Sequence, residues 1–383
     1  MIAIYIAQFI SALADNALLF AAIMLLKSQL APNWQIPLLQ EFFVIAFILL
    51  APFVGPFADG FPKDRVMLIA NFLKLLGASA MLFGLNPLIA YSLVGIGAAA
   101  YSPAKYGILS ELVSADKLVK ANGLMEGSTI VAILLGAVLG GKLADISVSI
   151  ALISICVCYL LAVIANTLIP RLPIARPDTI FQPFKLAKEF FEALKILSLN
   201  KDVRFSLIGS SIFWGTGSTL RLLLVAWVPV VLSTNDLSIP ANLSGAVAIG
   251  IAIGAALAAK FVTLKNVNRV LPPGLLIGVF IMIFAHTTNL YIAIALLMLI
   301  GLSGGFYVVP LNALLQERGH ETVGAGNAVA VQNFFENFCM LVLVGLYIAM
   351  EKNNVSVITT TFIFGCLILS VISLLAFKRV RQN

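Results

Sequence analysis

AAAYSPAKYGILSELVSADKLVKANGLMEGSTIVAILLG, residues 98–136, joins two apolar runs through one short charged turn. Pro103 and Lys105 lie in the first run, and Glu126 lies about one helical turn into the second. Apolar runs on both sides of a turn predict a helix, a turn and a second helix.

A weaker copy of this stretch, VVPLNALLQERGHETVGAGNAVAVQNFFENF, follows at residues 308–338. Pro103 matches Pro310, and Asn122 matches Asn327. An internal repeat of this kind indicates two halves that are built alike.

Composition sets the class of protein. Of the 383 residues, 61% are hydrophobic and only 11% are charged, whereas a soluble domain has about 25% charged residues. We therefore expect an integral membrane protein. The net charge of +7 is also a feature of nucleic-acid-binding proteins, but the basic residues are scattered over short loops. That pattern favours membrane orientation and predicts no nucleic-acid partner.

Twelve apolar runs reach the length of about 20 residues that a helix needs to span the bilayer. They predict an all-α membrane protein with six spans on each side of a long polar connection. The predicted spans are 3–29, 38–58, 66–85, 88–112, 121–145, 147–169, 204–232, 242–263, 271–287, 289–315, 325–350 and 355–377.

Lys and Arg concentrate in the loops that follow even-numbered spans, and the opposite side holds only Lys27, Lys142 and Lys352. This asymmetry predicts that both termini are cytoplasmic. Lys74 and Lys260 are expected near cytoplasmic span ends, where their ammonium groups would snorkel to water.

The connection divides the chain into domains 1–170, 171–203 and 204–383. Several prolines open it, and FKLAKEFFEALKIL then predicts an amphipathic helix on the cytoplasmic face. A simple tether between two bundles is compatible with the same sequence. The apolar face is predicted to carry Phe184, Ala187, Phe191, Leu194 and Leu197.

GPFADGFPKDR, residues 55–65, resembles the loop signature of the major facilitator superfamily, although Gly60 stands where an Arg is usual. The signature positions are filled by Gly55, Asp59, Lys63 and Arg65. The resemblance implies two parallel six-span halves with a substrate site midway across the membrane.

AQFISALADNALLF, SPAKYGIL, KANGLMEGSTIVAILLG, VVPLNALLQERG and VGAGNAVAVQN together resemble the bacterial lysophospholipid transporters of that superfamily. This resemblance implies a monomeric flippase without a cofactor in the bacterial inner membrane. It implies movement of lysophosphatidylethanolamine and lysophosphatidylglycerol from the outer to the inner leaflet. A partner acyltransferase/acyl-carrier-protein synthetase would then restore the missing acyl chain.

Spans one, four, seven and ten line the cavity of this fold, so the resemblance gives Asp15, Lys105 and Arg221 a cavity position. Asn312 is the counterpart of Lys105. Lys and Arg suit a phosphate, and a carboxylate suits an ammonium, so these four are the candidate substrate-binding residues. An ion pair between Asp15 and one cation, locking one conformation, is the alternative.

Glu126 and Glu336 lie in spans five and eleven. Each is a candidate carrier of a coupling proton, and the alternative is a helix partner, with Lys105 proposed for Glu126. Two glycine pairs at four-residue spacing predict close helix contact between spans five and eight that opens during transport. Ordinary packing is the alternative for these glycines, which are Gly136, Gly140, Gly250 and Gly254.

The loop charges Asp59, Lys63 and Arg65 predict a cytoplasmic latch that holds one state, or else a solvated loop. For the whole chain the runner-up to lipid transport is a proton-coupled drug or solute antiporter. A membrane enzyme is disfavoured, because His286 and His320 belong to no nucleophile or acid–base motif. The cysteines are scattered in apolar runs and predict no metal site.

Overall fold

The computed structural model describes residues 1–30, 35–175, 182–233 and 238–381. Within those ranges twelve helices are long and apolar enough to cross a membrane, which confirms the predicted number of spans. The helices, numbered in chain order, are α1 Ile2–Ser28, α2 Gln35–Gly60, α3 Lys63–Leu82, α4 Pro87–Leu112, α5 Ala115–Ile146, α6 Val148–Thr167, α7 Pro183–Leu199, α8 Lys201–Leu232, α9 Ser238–Phe261, α10 Leu271–Ala285, α11 Leu290–Thr322, α12 Ala325–Lys352 and α13 Val357–Val380.

The first repeat comprises α1–α6 and the second repeat comprises α8–α13, with α7 between them. Two helices run well past the predicted spans: α5 begins at Ala115, and α11 ends at Thr322. Hydropathy marks the part of a helix that suits lipid. It does not mark where helical hydrogen bonding stops, so the polar residues at 115–120 and 316–322 continue their helices.

The described helices form two compact units. Unit 1 contains Met1–Ser114, Val131–Leu199 and Gln316–Phe334, and unit 2 contains Ala115–Ile130, Asn200–Leu315 and Phe335–Asn383. The helices α5, α11 and α12 therefore each contribute residues to both units. The predicted domains 1–170, 171–203 and 204–383 follow the sequence repeat and stay a prediction.

In α3 several polar side chains are buried and several apolar side chains are exposed, the reverse of a helix on the surface of a soluble protein. Its polar residues Asn71 and Lys74 are buried, whereas Ile69, Phe72 and Leu76 are exposed. A helix surrounded by lipid places apolar side chains outward and satisfies polar groups within the bundle. The exposed apolar face of α3 thus identifies the surface that meets the membrane.

The amphipathic helix α7 exists, but of its five predicted face residues only Leu197 is buried. Phe184 is 92% exposed, and the buried side chains are Leu186, Phe190, Ala193 and Leu197. Phe190 packs edge-to-face on Phe334 of α12, with ring centroids 5.7 Å apart. Apolar residues occur around most of α7, so periodicity alone did not select the face that packs against the other helices of unit 1.

The turn between α11 and α12 is only two residues long. Gly324 has a φ of +92°, and its N–H donates to the carbonyl of Gly319 at 3.0 Å. A left-handed glycine is a common way to end a helix. It also leaves the start of α12 without a capping side chain from its own chain neighbour, so the first N–H groups of α12 need other acceptors.

Candidate functional site

A buried ion pair lies at the centre of the first repeat. Asp15 is in the middle of the 27-residue helix α1, and its Oδ2 is 2.7 Å from Nζ of Lys74 on α3. The Lys74 side chain is 2% exposed and that of Asp15 is 20% exposed. The candidate substrate-binding carboxylate therefore has a cation partner that the sequence did not assign to it.

Further polar groups complete this cluster. The hydroxyl of Tyr159 on α6 donates to Asp15 Oδ1 at 2.7 Å, and Lys74 Nζ donates to Ser11 Oγ at 3.1 Å. Ser11 in turn donates to Asn71 Oδ1 at 2.7 Å. Three helices of one bundle are thus joined by a continuous hydrogen-bond network, the arrangement that a buried ion pair needs.

Lys74 corrects the sequence analysis. The prediction that Lys74 snorkels is wrong. The helix α3 begins at Lys63, and Lys74 follows eleven residues later. That spacing puts Lys74 about 16 Å along the helix from its start. Its ammonium is also 4.9 Å from the Tyr101 ring centroid. The sequence signal was the pair Asn71 and Lys74, which three-residue spacing places on one helix face. Lys260 is exposed in the last turn of α9, as snorkelling requires.

The two other candidate cations differ in exposure. Lys105 on α4 is buried, with its Nζ 4.1 Å from the ring centroid of Tyr106, and it belongs to unit 1. Arg221 on α8 is exposed and belongs to unit 2. An exposed guanidinium inside a membrane span is expected where a polar ligand or water is accessible.

Asn312 and Glu126 meet each other within unit 2. The Asn312 Nδ2 donates to Glu126 Oε1 at 3.3 Å, and both side chains are buried. The sequence placed Asn312 in the substrate site and proposed Lys105 as the partner of Glu126. The contact with Asn312 gives Glu126 a neutral donor on α11, and the pairing of Glu126 with Lys105 stays a prediction.

The Asp59 junction, defined by Asp59, Lys63, Glu111 and the start of α12, is the second buried charge cluster. Lys63 Nζ lies 3.0 Å from Asp59 Oδ1 and 2.7 Å from Glu111 Oε1. Asp59 also accepts the backbone N–H groups of Gly326, at 2.9 Å, and Asn327, at 3.3 Å. Asp59 therefore caps the helix end that the Gly324 turn leaves open, where a carboxylate is favoured by the helix dipole.

Two glycines allow this close approach. A Cβ on Gly326 would lie 2.7 Å from Asp59 Oδ1, and a Cβ on Gly55 would lie 2.8 Å from the Asn327 Cα. Real Cβ atoms do not approach neighbours so closely. Arg65, the third predicted member of the latch, is exposed at the start of α3. Glu111, which the sequence analysis did not assign to the latch, is the further charged residue that pairs with Lys63.

The glycine pairs do not form the predicted contact between spans five and eight. Cβ atoms on Gly136 and Gly140 would meet α1, at 2.5 Å from the Leu13 carbonyl oxygen and 2.5 Å from the Ala17 Cα. A Cβ on Gly254 would lie 2.0 Å from the Leu302 carbonyl oxygen of α11, and Gly250 also faces α11. Both pairs therefore pack helices of the same repeat.

Spans five and eight do meet at another glycine. A Cβ on Gly123 of α5 would lie 2.7 Å from the Ala259 Cβ and 3.1 Å from the Ala255 carbonyl oxygen, both on α9. The sequence analysis missed Gly123, because it searched for two glycines four residues apart. Here a single glycine faces alanines, which suffices for close helix packing.

Glu336 is buried in α12, close in sequence to Asn333, which donates to Ser102 Oγ at 2.9 Å. Among the residues that the structure describes, no group of three or more His, Cys, Asp and Glu side chains is arranged to hold a metal ion.

Twelve candidate spans among the described residues, arranged as two six-span sequence repeats, define an integral membrane protein. The sequence profile of the Major Facilitator Superfamily matches residues 4–343, and the chain belongs to this superfamily.

Within it, the relatives named lysophospholipid transporter LplT include the following three. That of Photorhabdus laumondii is 54% identical over all of this chain and 96% of its own length. That of Serratia proteamaculans is 58% identical over 91% of this chain and 87% of its own length. That of Enterobacter sp. (strain 638) is 56% identical over 96% of this chain and 92% of its own length.

Solved structures share the fold at low identity. The human organic anion transporter MFSD10 superposes with a TM-score of 0.77 at 14% identity, over 97% of this chain and 99% of that one. The E. coli fucose:proton symporter FucP gives a TM-score of 0.76 at 14% identity, over 98% and 97%. Such identities establish architecture and say nothing about substrate.

Proposed function

We propose that this protein transports lysophospholipids, among them lysophosphatidylethanolamine and lysophosphatidylglycerol, from the outer to the inner leaflet of a bacterial inner membrane. The observation that carries the proposal is 54% identity over the whole chain to a lysophospholipid transporter. The same proposal places both termini in the cytoplasm, on the strength of the loop charge asymmetry.

The intramembrane cations give the proposal a chemical basis. Every lysophospholipid carries a phosphate, and Lys and Arg are the side chains that bind phosphate. Lys105 on α4 and Arg221 on α8 lie seven and eleven residues before the ends of their helices, within spans where a charge is costly unless it has a ligand or partner. We propose that both cations bind the phosphate, and that Asn312, which donates to Glu126 within unit 2, is a further substrate-binding residue.

The Asp59 junction supplies the conformational element. Asp59 and Lys63 belong to the first repeat, whereas Gly326 and Asn327 begin α12 of the second repeat. In a transport cycle in which the first repeat moves relative to the start of α12, these hydrogen bonds would break. We therefore assign the junction to one end state of the cycle, held by one carboxylate and two backbone N–H groups.

The product of inward transport is a lipid with one acyl chain, so an acyltransferase must consume it. We assign that role to an acyltransferase/acyl-carrier-protein synthetase on the cytoplasmic side, acting on lipid delivered by a monomeric transporter.

Uptake of labelled lysophosphatidylethanolamine into spheroplasts tests the proposed function. Cells that make the protein should take up the lipid, and cells that lack it should not. A variant with an intact Asp59 junction but with Lys105→Ala and Arg221→Ala should lose uptake of both head groups. Equal uptake with and without the protein would refute the proposal.

The alternative, a proton-coupled antiporter, draws on the two buried carboxylates Glu126 and Glu336. The same assay separates it from the first function when a protonophore is added. Lysophospholipid uptake that persists with the protonophore supports lipid transport. Export of unrelated amphiphiles that stops with the protonophore supports the antiporter.

A further inference from the structure

Both carboxylate oxygens of Asp15 are already engaged inside its own bundle. Oδ2 binds the Lys74 ammonium at 2.7 Å, and Oδ1 accepts the Tyr159 hydroxyl at 2.7 Å. The partner cation is tethered to the fold and almost fully buried. A lipid ammonium that binds Asp15 would therefore have to displace the ammonium of Lys74, which the fold holds beside Asp15.

The Lys74 ammonium is enclosed on several sides. Besides Asp15 it donates to Ser11 Oγ at 3.1 Å, and the Tyr101 ring centroid lies 4.9 Å away. A Cβ on Gly97 would lie 2.8 Å from the Lys74 Cγ, so α4 also packs directly on the lysine stem. The enclosure fixes Lys74 beside Asp15, and the two charges sum to zero.

We propose that Lys74 is a positioning residue that neutralises Asp15, so that the transporter selects lysophospholipids by their phosphate and not by a head-group ammonium. This inference rests on the proposed function. Asp15 is 20% exposed, and with Lys74 in place this exposed edge carries no net charge. Zwitterionic ethanolamine lipids and anionic glycerol lipids then pass with similar efficiency, because the cations that serve phosphate serve both.

The charge balance makes a specific prediction for the two single neutral variants. Lys74→Gln leaves the negative charge of Asp15 alone, which repels the anionic glycerol lipid and shifts the uptake ratio towards ethanolamine. Asp15→Asn leaves the positive charge of Lys74 alone and shifts the ratio towards glycerol. We expect shifts of about tenfold, the effect of one unit charge at about 10 Å with an effective dielectric constant of about 20.

The double variant Asp15→Asn/Lys74→Gln decides between neutralisation and direct binding. If the pair acts as a neutral unit, the double variant recovers the wild-type uptake ratio, because no net charge remains. If Asp15 binds the ammonium directly, the double variant keeps the selective loss of ethanolamine uptake. The double variant also removes both buried charges together, so it decides the question even where a single variant does not fold.

The measurement is uptake of labelled lysophosphatidylethanolamine and lysophosphatidylglycerol into spheroplasts, with the Tm of each purified variant recorded in parallel. Lys260→Gln is the matched control, since it removes an exposed lysine from a span end and should leave the ratio and Tm unchanged. Opposite shifts in the single variants and recovery in the double variant support the inference.

Unchanged ratios in both single variants, or a double variant that retains the ethanolamine defect, overturn the inference while leaving lipid transport intact. Failure of the wild-type protein to take up either lipid overturns the proposed function instead. In that case the Tm series still decides the pairing of Asp15 and Lys74, because both single variants should lose Tm and the double variant should regain it.

Discussion

Two buried aspartate–lysine pairs of the protein differ in what they join. Asp15 and Lys74 link α1 and α3 of the first repeat at 2.7 Å. Asp59 and Lys63 are paired at 3.0 Å on one side of a short turn, and Asp59 also binds the start of α12 in the second repeat. The first pair belongs to a hydrogen-bond network among helices of the first repeat. The second pair is bonded to a helix of the second repeat.

This difference separates the two roles that a buried ion pair can have in a transporter. A network confined to helices that move together can remain intact through the whole cycle and set local charge. A contact between different repeats holds a state only as long as it lasts. We therefore propose that the same residue types serve charge balance in the first pair and hold one conformational state in the second.

The largest effect is expected at the Asp59 junction. Asp59→Ala removes the cap of α12 and one partner of the buried Lys63, and breaking such a pair costs about 3–5 kcal/mol. We expect uptake of labelled lysophospholipid to fall more than tenfold. Arg65→Ala, an exposed change a few residues away, should stay near wild type. Normal uptake by Asp59→Ala would show that the junction does not govern the cycle.

A smaller effect is expected where contacts stay within one repeat. Gly254→Ala would place its Cβ 2.0 Å from the Leu302 carbonyl oxygen, and overpacking of this kind costs about 1–3 kcal/mol. It should lower Tm and protein yield, while the folded fraction transports normally. Gly127→Ala is the control, because nothing lies within 4 Å of its added Cβ. Normal Tm with lost uptake would restore the predicted gate.

Tyr159→Phe should have a milder effect within the Asp15 network. It removes the hydroxyl that donates to Asp15 Oδ1, and an unmatched buried acceptor costs about 1–3 kcal/mol. We expect a lower Tm and uptake that remains above half of the wild-type rate. Tyr291→Phe, which alters an 81% exposed tyrosine, should change neither. A larger loss of uptake than of stability would mean that the network itself changes during transport.

The smallest functional effect is expected from substitutions that report topology. Ser233→Cys after α8 and Lys117→Cys at the start of α5 alter exposed residues in a protein lacking its four cysteines. An impermeant thiol reagent added to intact cells should label the first and not the second. The opposite labelling would invert the orientation and move the Asp59 junction to the periplasmic side.

The sequence predicted the fold well because membrane spans leave a strong compositional signal. It also grouped Asp59 and Lys63 in one charged cluster, and the structure pairs them at 3.0 Å; the latch role stays a prediction. It did not identify Glu111 or the start of α12 as their partners, because those contacts join residues distant in the chain. Lys74 was misassigned for a related reason: hydropathy gives the approximate span, but the depth of a residue depends on where its helix starts.

For the glycine pairs, too, the sequence spacing predicted only part of the observed packing. Four-residue spacing correctly predicted close helix packing at Gly136 and Gly250, but it did not specify the neighbouring helix. The contact between α5 and α9 forms instead at Gly123 against Ala259. Which faces meet depends on the rotation of each helix in its bundle, and that rotation is determined by all of its neighbours together.

The central claim is that the contact between repeats at the Asp59 junction opens during transport, whereas contacts within a repeat persist. Two cysteine pairs at matched separation test it. Added Cβ atoms on Gly107 and Gly95 would each lie 3.4 Å from an alanine Cβ, that of Ala325 on α12 and that of Ala46 on α2, respectively. The Gly107 Cβ would also lie 2.8 Å from Cε of Lys63, whose flexible stem must shift, so the reduced form of that pair is its own reference. These separations are close to those of a disulfide, about 3.5–4.5 Å.

The measurement is lysophospholipid uptake by Gly107→Cys/Ala325→Cys and by Gly95→Cys/Ala46→Cys, oxidised and then reduced, in a protein lacking the native cysteines. We predict that oxidation abolishes uptake in the first pair, that reduction restores it, and that the second pair transports equally well in both forms. Uptake that continues with Gly107→Cys and Ala325→Cys fully cross-linked would contradict the account.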